Sequence, residues 1–337
     1  MGGKALKNHT SCRLTKSNYT KVSQHCLDRL RLSFPNNKIE IIGSYHSKAD
    51  FGDCDILIEN TIDHTVNISK VLNSVEDVKN GTVTSYGIET DNIIGHAGIF
   101  QVDLIKISPE SFEFAKNYFG SGDAGNLIGR IAHKMGLSFG HDGLKYYFND
   151  GDNRFSEYML TKDFSKALES IGYDSTVFMK GFNTKLDIYE YITQNQFFNK
   201  NIYLLENRNY IARVRDKKRP MYMDFLKWCQ NKTNLNEYDF PSDKKYFLDR
   251  IFHYFPDFIE VYNKTIQSLE ESKKVKEKFN GSLVMDLTGL ANKKLGEFMS
   301  YIKNSEENLN QTILNMEDNE IIGFILEKHD EYKKGER

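Results

Sequence analysis

Gly43-Ser44-Tyr45-His46-Ser47-Lys48-Ala49-Asp50-Phe51-Gly52-Asp53-Cys54-Asp55-Ile56-Leu57-Ile58 reads as the end of one strand, a short loop, and a second strand carrying two carboxylates. The apolar positions Ile39, Ile41 and Ile42 lead into Gly43-Ser44, where a bare backbone and a hydroxyl can approach an anionic ligand closely. Asp53 and Asp55 stand two apart at the mouth of Ile56-Leu57-Ile58, and the side-chain period of a strand is two, so both carboxylates point to one face. Like charges held that close raise one another's pKa unless a cation lies between them. A hard divalent ion such as Mg²⁺, with Mn²⁺ as a substitute, suits one or two carboxylates completed by waters and phosphates.

Asp-x-Asp at a strand edge is by itself ordinary turn chemistry. Asp103 changes its weight. It lies within Phe100-Gln101-Val102-Asp103-Leu104-Ile105-Lys106-Ile107, an apolar strand in which a lone buried charge is costly. If that strand pairs beside the first, Asp53, Asp55 and Asp103 converge as metal ligands for two ions, the arrangement a two-metal phosphoryl or nucleotidyl transfer requires.

Gly-Ser, a spacer, Asp-x-Asp on a strand and a later Asp on another strand resemble the nucleotidyltransferase superfamily typified by DNA polymerase β. Over residues 12 to 195 the chain is most similar to the family X DNA polymerases. Asp103 is followed at that family's spacing by Tyr118-Phe119-Gly120-Ser121-Gly122, Asn126, Arg130 and Gly143-Leu144, and Cys12-Arg13-Leu14-Thr15-Lys16 precedes the first helix. The resemblance implies a triphosphate contact at Arg13 and places Tyr118 and Phe119 beside the sugar of an incoming nucleotide. It also sets Asn126 on the minor-groove edge of the base and Arg130 on the template strand. The chain departs from the pattern too. The loop is one residue short and has His46-Ser47-Lys48 where two arginines are usual, leaving Lys48 as a point charge for the triphosphate. Gln101 replaces an arginine that braces the third carboxylate, and Gly120-Ser121-Gly122 replaces Thr-Gly-Ser. The stretch before Arg13 is short for the family's lyase and helix-hairpin-helix domain, so lyase activity is not expected.

The resulting expectation is an α+β chain. Residues 1–116 form an N-terminal helix and a nucleotidyltransferase palm, a mixed sheet with helices on one face. Residues 117–199 form a small α/β nucleotide-selecting subdomain, and residues 200–337 an all-helical domain. Residues 1 to 11 read as polar and loose, with Thr15, Ser17 or Asn18 capping a helix to Ser33. A helix is expected over Ile68 to Val78, and helix, strand and helix over Ser156 to Asn199. Arg208, Arg213, Arg215, Lys217, Lys218 and Arg219 read as a solvated basic turn closed by Pro220, or as a contact to backbone phosphates. The segment Gly289 to Ile302, with Leu295 and Phe298, faintly resembles the terminal helical region of CCA-adding and poly(A)-adding enzymes.

Composition narrows the partners. At 337 residues and 39% apolar there is core for two or three domains. A formal net charge of -2 means that any nucleic-acid surface must be a local patch. Cys12, Cys26, Cys54 and Cys229 show neither zinc-site nor disulfide spacing. No apolar run is long enough to span a membrane, and Met1-Gly2-Gly3-Lys4 lacks a signal peptide's apolar segment. An intracellular protein, cytoplasmic or nucleoid-associated, is the expectation, and the Asn, Lys, Ile and Tyr usage points to an AT-rich genome such as a viral one. The partners expected are a nucleoside triphosphate and either a DNA primer-template or an RNA 3′ end. The leading expectation is a template-directed DNA polymerase, with RNA 3′-end transfer as the alternative. A non-catalytic nucleic-acid-binding protein is the reading from another class, against which three retained carboxylates weigh, since buried like charges without metal only destabilise.

Overall fold

The Asp-x-Asp segment lies on an interior strand of a five-stranded mixed sheet. The structure, a computed structural model, describes residues 3–151 and 153–335. Leu14–Thr15 (β1) and Asp50–Phe51 (β3) pair as a short ribbon. Ile39–Ile41 (β2), Asp53–Glu59 (β4), Ser74–Asn80 (β5), Val83–Glu89 (β6) and Ile99–Ile107 (β7) make the sheet, in the order β2-β4-β7-β6-β5. β4 and β7 run parallel and the other neighbours antiparallel.

Alternation along β4 and β7 divides their side chains between two faces. Cys54, Ile56, Ile58, Phe100, Val102 and Leu104 pack against the first helix, Lys16–Ser33 (α1), through its Val22, Cys26, Leu27 and Leu30. Thr15 caps that helix by accepting from the Asn18 amide. Ile68–Leu72 (α2) and Asp91–Ile94 (α3) complete this layer. On the opposite face Leu57, Ile105 and Ile107 pack with Ile42 against Phe112 and Ala115 of Phe112–Phe119 (α4). Helices thus lie on both faces, which corrects the expectation of one covered face. Beyond Asp55 and Asp103 the carboxylate face turns apolar and has to be removed from water.

Two local expectations also change. The helix expected to reach Val78 stops at Leu72, where Asn73 turns left-handed at φ 53°, and the following residues form β5, antiparallel to β6. Residues 1 to 11 were expected to be loose. Met1 and Gly2 lie outside the described residues, but the segment after them is bound to the sheet. Ala5 N–H donates to Gln101 Oε1 at 2.8 Å, Lys7 and Asn8 N–H to Glu76 Oε1 at 2.7 and 3.0 Å, and Ser11 bridges to Ile99.

Downstream come Ala124–Lys134 (α5) and a three-stranded sheet of Leu137–Gly140 (β8), Gly143–Asp150 (β9) and Asn153–Thr161 (β10), ordered β10-β9-β8. Phe164–Ile171 (α6), Ser175–Met179 (α7) and Lys185–Thr193 (α8) follow, with a short helix where a strand was expected. Then come Tyr210–Lys217 (α9), Pro220–Gln230 (α10) and Leu248–Tyr254 (α11).

The chain divides into two units. The first holds the chain up to Tyr147 together with Glu157–Pro256, and the second holds Phe148–Ser156 and the chain from Asp257 onward. The division therefore falls after Pro256, not near residue 200. The cause is an aromatic core that ties residues 200–230 to α5 and α8. Tyr203 donates to the Leu127 carbonyl at 3.2 Å, Tyr222 to the Tyr203 carbonyl at 2.6 Å, and Tyr189 to the Met221 carbonyl at 2.9 Å. In the second unit Phe258–Lys278 (α12), Gly281–Thr288 (α13), Asn292–Ser305 (α14), Leu309–Asn315 (α15) and Asp318–Gly335 (α16) accompany the hairpin tip, so this unit is not purely helical. Phe298, Ile302, Ile313 and Ile325 are at its core. No described helix is long and apolar enough to cross a membrane.

Candidate active site

The parallel register of β4 and β7 sets Asp55 opposite Asp103 and Asp53 opposite Gln101. A cavity of about 170 Å³ opens at this end of the sheet, lined by Gly43, Ser44, Lys48, Asp53, Asp55 and Phe119 among others. Asp103 stands beside the cavity without lining it. Gln101 Nε2 donates to both of its oxygens, at 2.9 and 3.1 Å, and Ser85, its register partner on β6, also hydrogen-bonds it. Asp53 Oδ2 accepts the Gly3 amide at 3.1 Å.

The electrostatics of the group are those of carboxylates short of positive charge. Burial, then Asp53, then Asp103 push the Asp55 carboxyl up to about 7, and Lys48 opposes them. Burial pushes Asp103 up to about 6, with Asp53 adding to the rise and Ser85 and Gln101 opposing it. Both effects disfavour the charged form, and a bound cation would reverse them.

The loop between β2 and β4 is braced from outside. His46 and Ser47 amides donate to the Phe182 and Asn183 carbonyls at 2.9 and 2.8 Å, and Lys16 Nζ donates to the His46 carbonyl at 2.8 Å. Lys48 Nζ lies over the Phe51 ring, 4.7 Å from its centroid, within the lining. A Cβ added at Gly43 would meet nothing within 4 Å, so the chain's own packing does not demand a glycine there. Gly43 is exposed and is among the residues that line the cavity.

Asp53 and Asp55 at the cavity are hard oxygen donors of the kind Mg²⁺ takes. Among the described residues no group of three or more His, Cys, Asp or Glu side chains is placed to hold a metal ion, so Asp103 does not close with Asp53 and Asp55 into a three-carboxylate site. Two carboxylates at a cavity, a third in register and no cation but Lys48 among the charges acting on Asp55 form the donor set that Mg²⁺ shares with water and phosphate.

The other expected site residues are distributed differently. Arg13 Nε donates to Asp50 Oδ2 at 2.7 Å across the β1–β3 ribbon and is not in the cavity lining. The Tyr118-Phe119 pair is split. Phe119 lines the carboxylate cavity, while Tyr118 lines a second one with Asn126 and Arg130. Arg130 turns its Nη2 to the Ile202 carbonyl at 3.1 Å. The basic run is largely helical, with Arg213, Arg215, Lys217 and Lys218 exposed: Arg213, Arg215 and Lys217 are on α9, Lys218 and Arg219 follow it, and Pro220 opens α10. Arg208 is buried, paired through Nη2 with Asp216 at 2.8 Å.

Sequence reading missed Tyr19, Phe51 and Gly122 in the lining and Ser85 beside Asp103. Ser85 is a buried polar residue at the start of the buried stretch of β6, a signal readable only once the register is known. In comparison with known proteins, the chain matches no family model and no curated sequence significantly.

Gln101→Leu should isolate the brace on the third carboxylate. Gln101 is only 2% exposed, so its loss leaves Asp103 and the Ala5 amide short of partners. The expected result is a loss of about 1–3 kcal/mol in denaturant unfolding and a further upward shift of the Asp103 carboxyl in a ¹³C NMR titration. An unmoved Asp103 titration would show the contact to be incidental.

Proposed function

We propose that the chain is a magnesium-dependent nucleotidyltransferase whose sheet is a nucleotidyltransferase palm, adding nucleotides to a 3′-hydroxyl with release of pyrophosphate. The observation that carries this reading is the register of Asp55 against Asp103, with Asp53 on the same face, at a cavity bordered by Gly43-Ser44 and Lys48. The bound ions would lower the pKa of the attacking hydroxyl and offset charge on the leaving pyrophosphate. Asp53, Asp55 and Asp103 would hold those ions. Gly43 and Ser44 present backbone and hydroxyl to the phosphates, and Lys48 supplies a point charge to them. The attacking oxygen bonds to the α-phosphorus as the bond to pyrophosphate breaks. Phe119, stacked on His141 with ring centroids 5.5 Å apart, walls the cavity on the side where the sugar would lie.

The spacing of the motifs over residues 12 to 195, which resembles that of family X polymerases, favours a DNA primer. The test incubates the protein with Mg²⁺ and each labelled nucleotide on a gapped DNA duplex, a single-stranded RNA and a tRNA lacking its 3′ end. Addition that follows the template base and prefers deoxynucleotides supports the polymerase reading. Ribonucleotide addition to the tRNA moves the reading to RNA 3′-end transfer. Asp103→Ala should abolish either activity while the far-UV circular dichroism stays unchanged, and full residual activity would refute the site.

A further inference from the structure

The second cavity, about 190 Å³, is lined in part by Tyr118, Asn126, Arg130, Arg208 and Arg215. Two of its three arginines, Arg208 and Arg215, lie beyond the stretch that resembles family X polymerases. Asp216, fully buried, accepts Arg208 Nε and Nη2 on Oδ2 at 3.1 and 2.8 Å, and Arg215 Nε on Oδ1 at 3.0 Å. One carboxylate thus faces two guanidinium groups, and Arg130 adds a third, so positive charge is in excess at the cavity.

Arg208 alone neutralises Asp216, so the buried pair does not depend on Arg215. Arg215 remains half exposed, and its Nη2 donates to Asn126 Oδ1 at 3.3 Å. That contact fixes the Asn126 amide and leaves its Nδ2 buried without a partner among the described residues. A planar cation held at two points, beside an amide donor with no acceptor, is a site built for oxygen acceptors.

We infer that Arg215, held by Asp216, is a contact to a phosphodiester of the nucleic-acid strand. The inference rests on the proposed function for its ligand class. A triphosphate offers the same oxygens, but Gly43, Ser44 and Lys48 border the other cavity, and the Tyr118-Phe119 pair, ring centroids 5.3 Å apart, is divided between the two. The strand is therefore the occupant that remains for the second.

The test is fluorescence anisotropy without divalent metal, using a 5′-labelled single-stranded oligonucleotide in one arm and a fluorescent nucleoside triphosphate in the other. Arg215→Ala should weaken the oligonucleotide roughly tenfold. It should also flatten the slope of log affinity against log salt by about 0.7. Triphosphate binding should not change. Arg215→Lys should restore the salt slope but only part of the affinity, because an ammonium cannot hold Asp216 and Asn126 in the same fork. Unchanged oligonucleotide affinity, or a loss confined to the triphosphate, overturns the inference. The transfer assay with Asp103→Ala separates it from the reading beneath it. If Arg215→Ala loses strand affinity while Asp103→Ala keeps transfer, this inference stands and the active-site assignment fails. If Arg215→Ala is neutral while Asp103→Ala is inactive, the reverse holds.

Discussion

Asp55→Asn is expected to lower nucleotide transfer by about 10²–10³-fold or more, and to make the metal-free protein harder to melt. The two effects have one cause. An unfolded Asp titrates near 3.9, whereas in the fold this carboxyl is pushed up to about 7 by burial and by Asp53 and Asp103. Between those values the folded chain binds the proton more tightly than the unfolded chain does. Stability contributed by this group is therefore fully present below about pH 4 and falls as pH rises to about 7. Asparagine has no charge to bury and escapes that loss. At pH 8 without divalent metal the variant should gain on the order of a few kcal/mol, a rise of several degrees in Tm. At pH 4 the two proteins should melt together. Mg²⁺ should raise the Tm of the wild type more than that of the variant, because an ion that binds only the folded site stabilises by mass action. A variant that melts below the wild type at pH 8 would mean that Asp55 is held by something other than like charges.

Gly43→Val should separate binding from folding. Gly43 has no positive φ, and a Cβ there meets nothing within 4 Å, so valine adds no strain to the chain. Its methyl groups would stand at the lining of a cavity of only about 170 Å³. Stability should stay within roughly 0.5 kcal/mol of the wild type. Affinity for a fluorescent nucleoside triphosphate should fall by about 10–100-fold, since a triphosphate pushed off the loop loses charge-assisted hydrogen bonds. An unchanged affinity would place the phosphates elsewhere.

The part of the site legible in the chain was the part written in strand alternation. Asp53 and Asp55 could be set on one face from their spacing, and Asp103 flagged as a charge inside an apolar strand. That β4 lies parallel to β7 with Asp55 opposite Asp103 is a pairing between distant segments that no local pattern encodes. Ile68, Val71, Leu72, Val75 and Val78 keep helical spacing, yet Asn73 turns left-handed and the last two lie on an edge strand. There, pairing with β6 overrode periodicity. The first residues looked loose because their side chains are polar. What holds them is backbone amides donating to Asp53, Gln101 and Glu76. Arg208 and Asp216 were hidden for a related reason: a run of charges reads as solvated, although a buried pair needs only one acid placed behind it.

The central claim is that Asp53, Asp55 and Asp103 jointly hold metal ions over a nucleoside triphosphate. Its most direct test is the electron paramagnetic resonance of Mn²⁺, titrated into the protein with a non-hydrolysable triphosphate, for the wild type and for Asp55→Asn. The account predicts two ions bound per wild-type chain and a loss of at least one in the variant. Equal Mn²⁺ binding by the two proteins would contradict it.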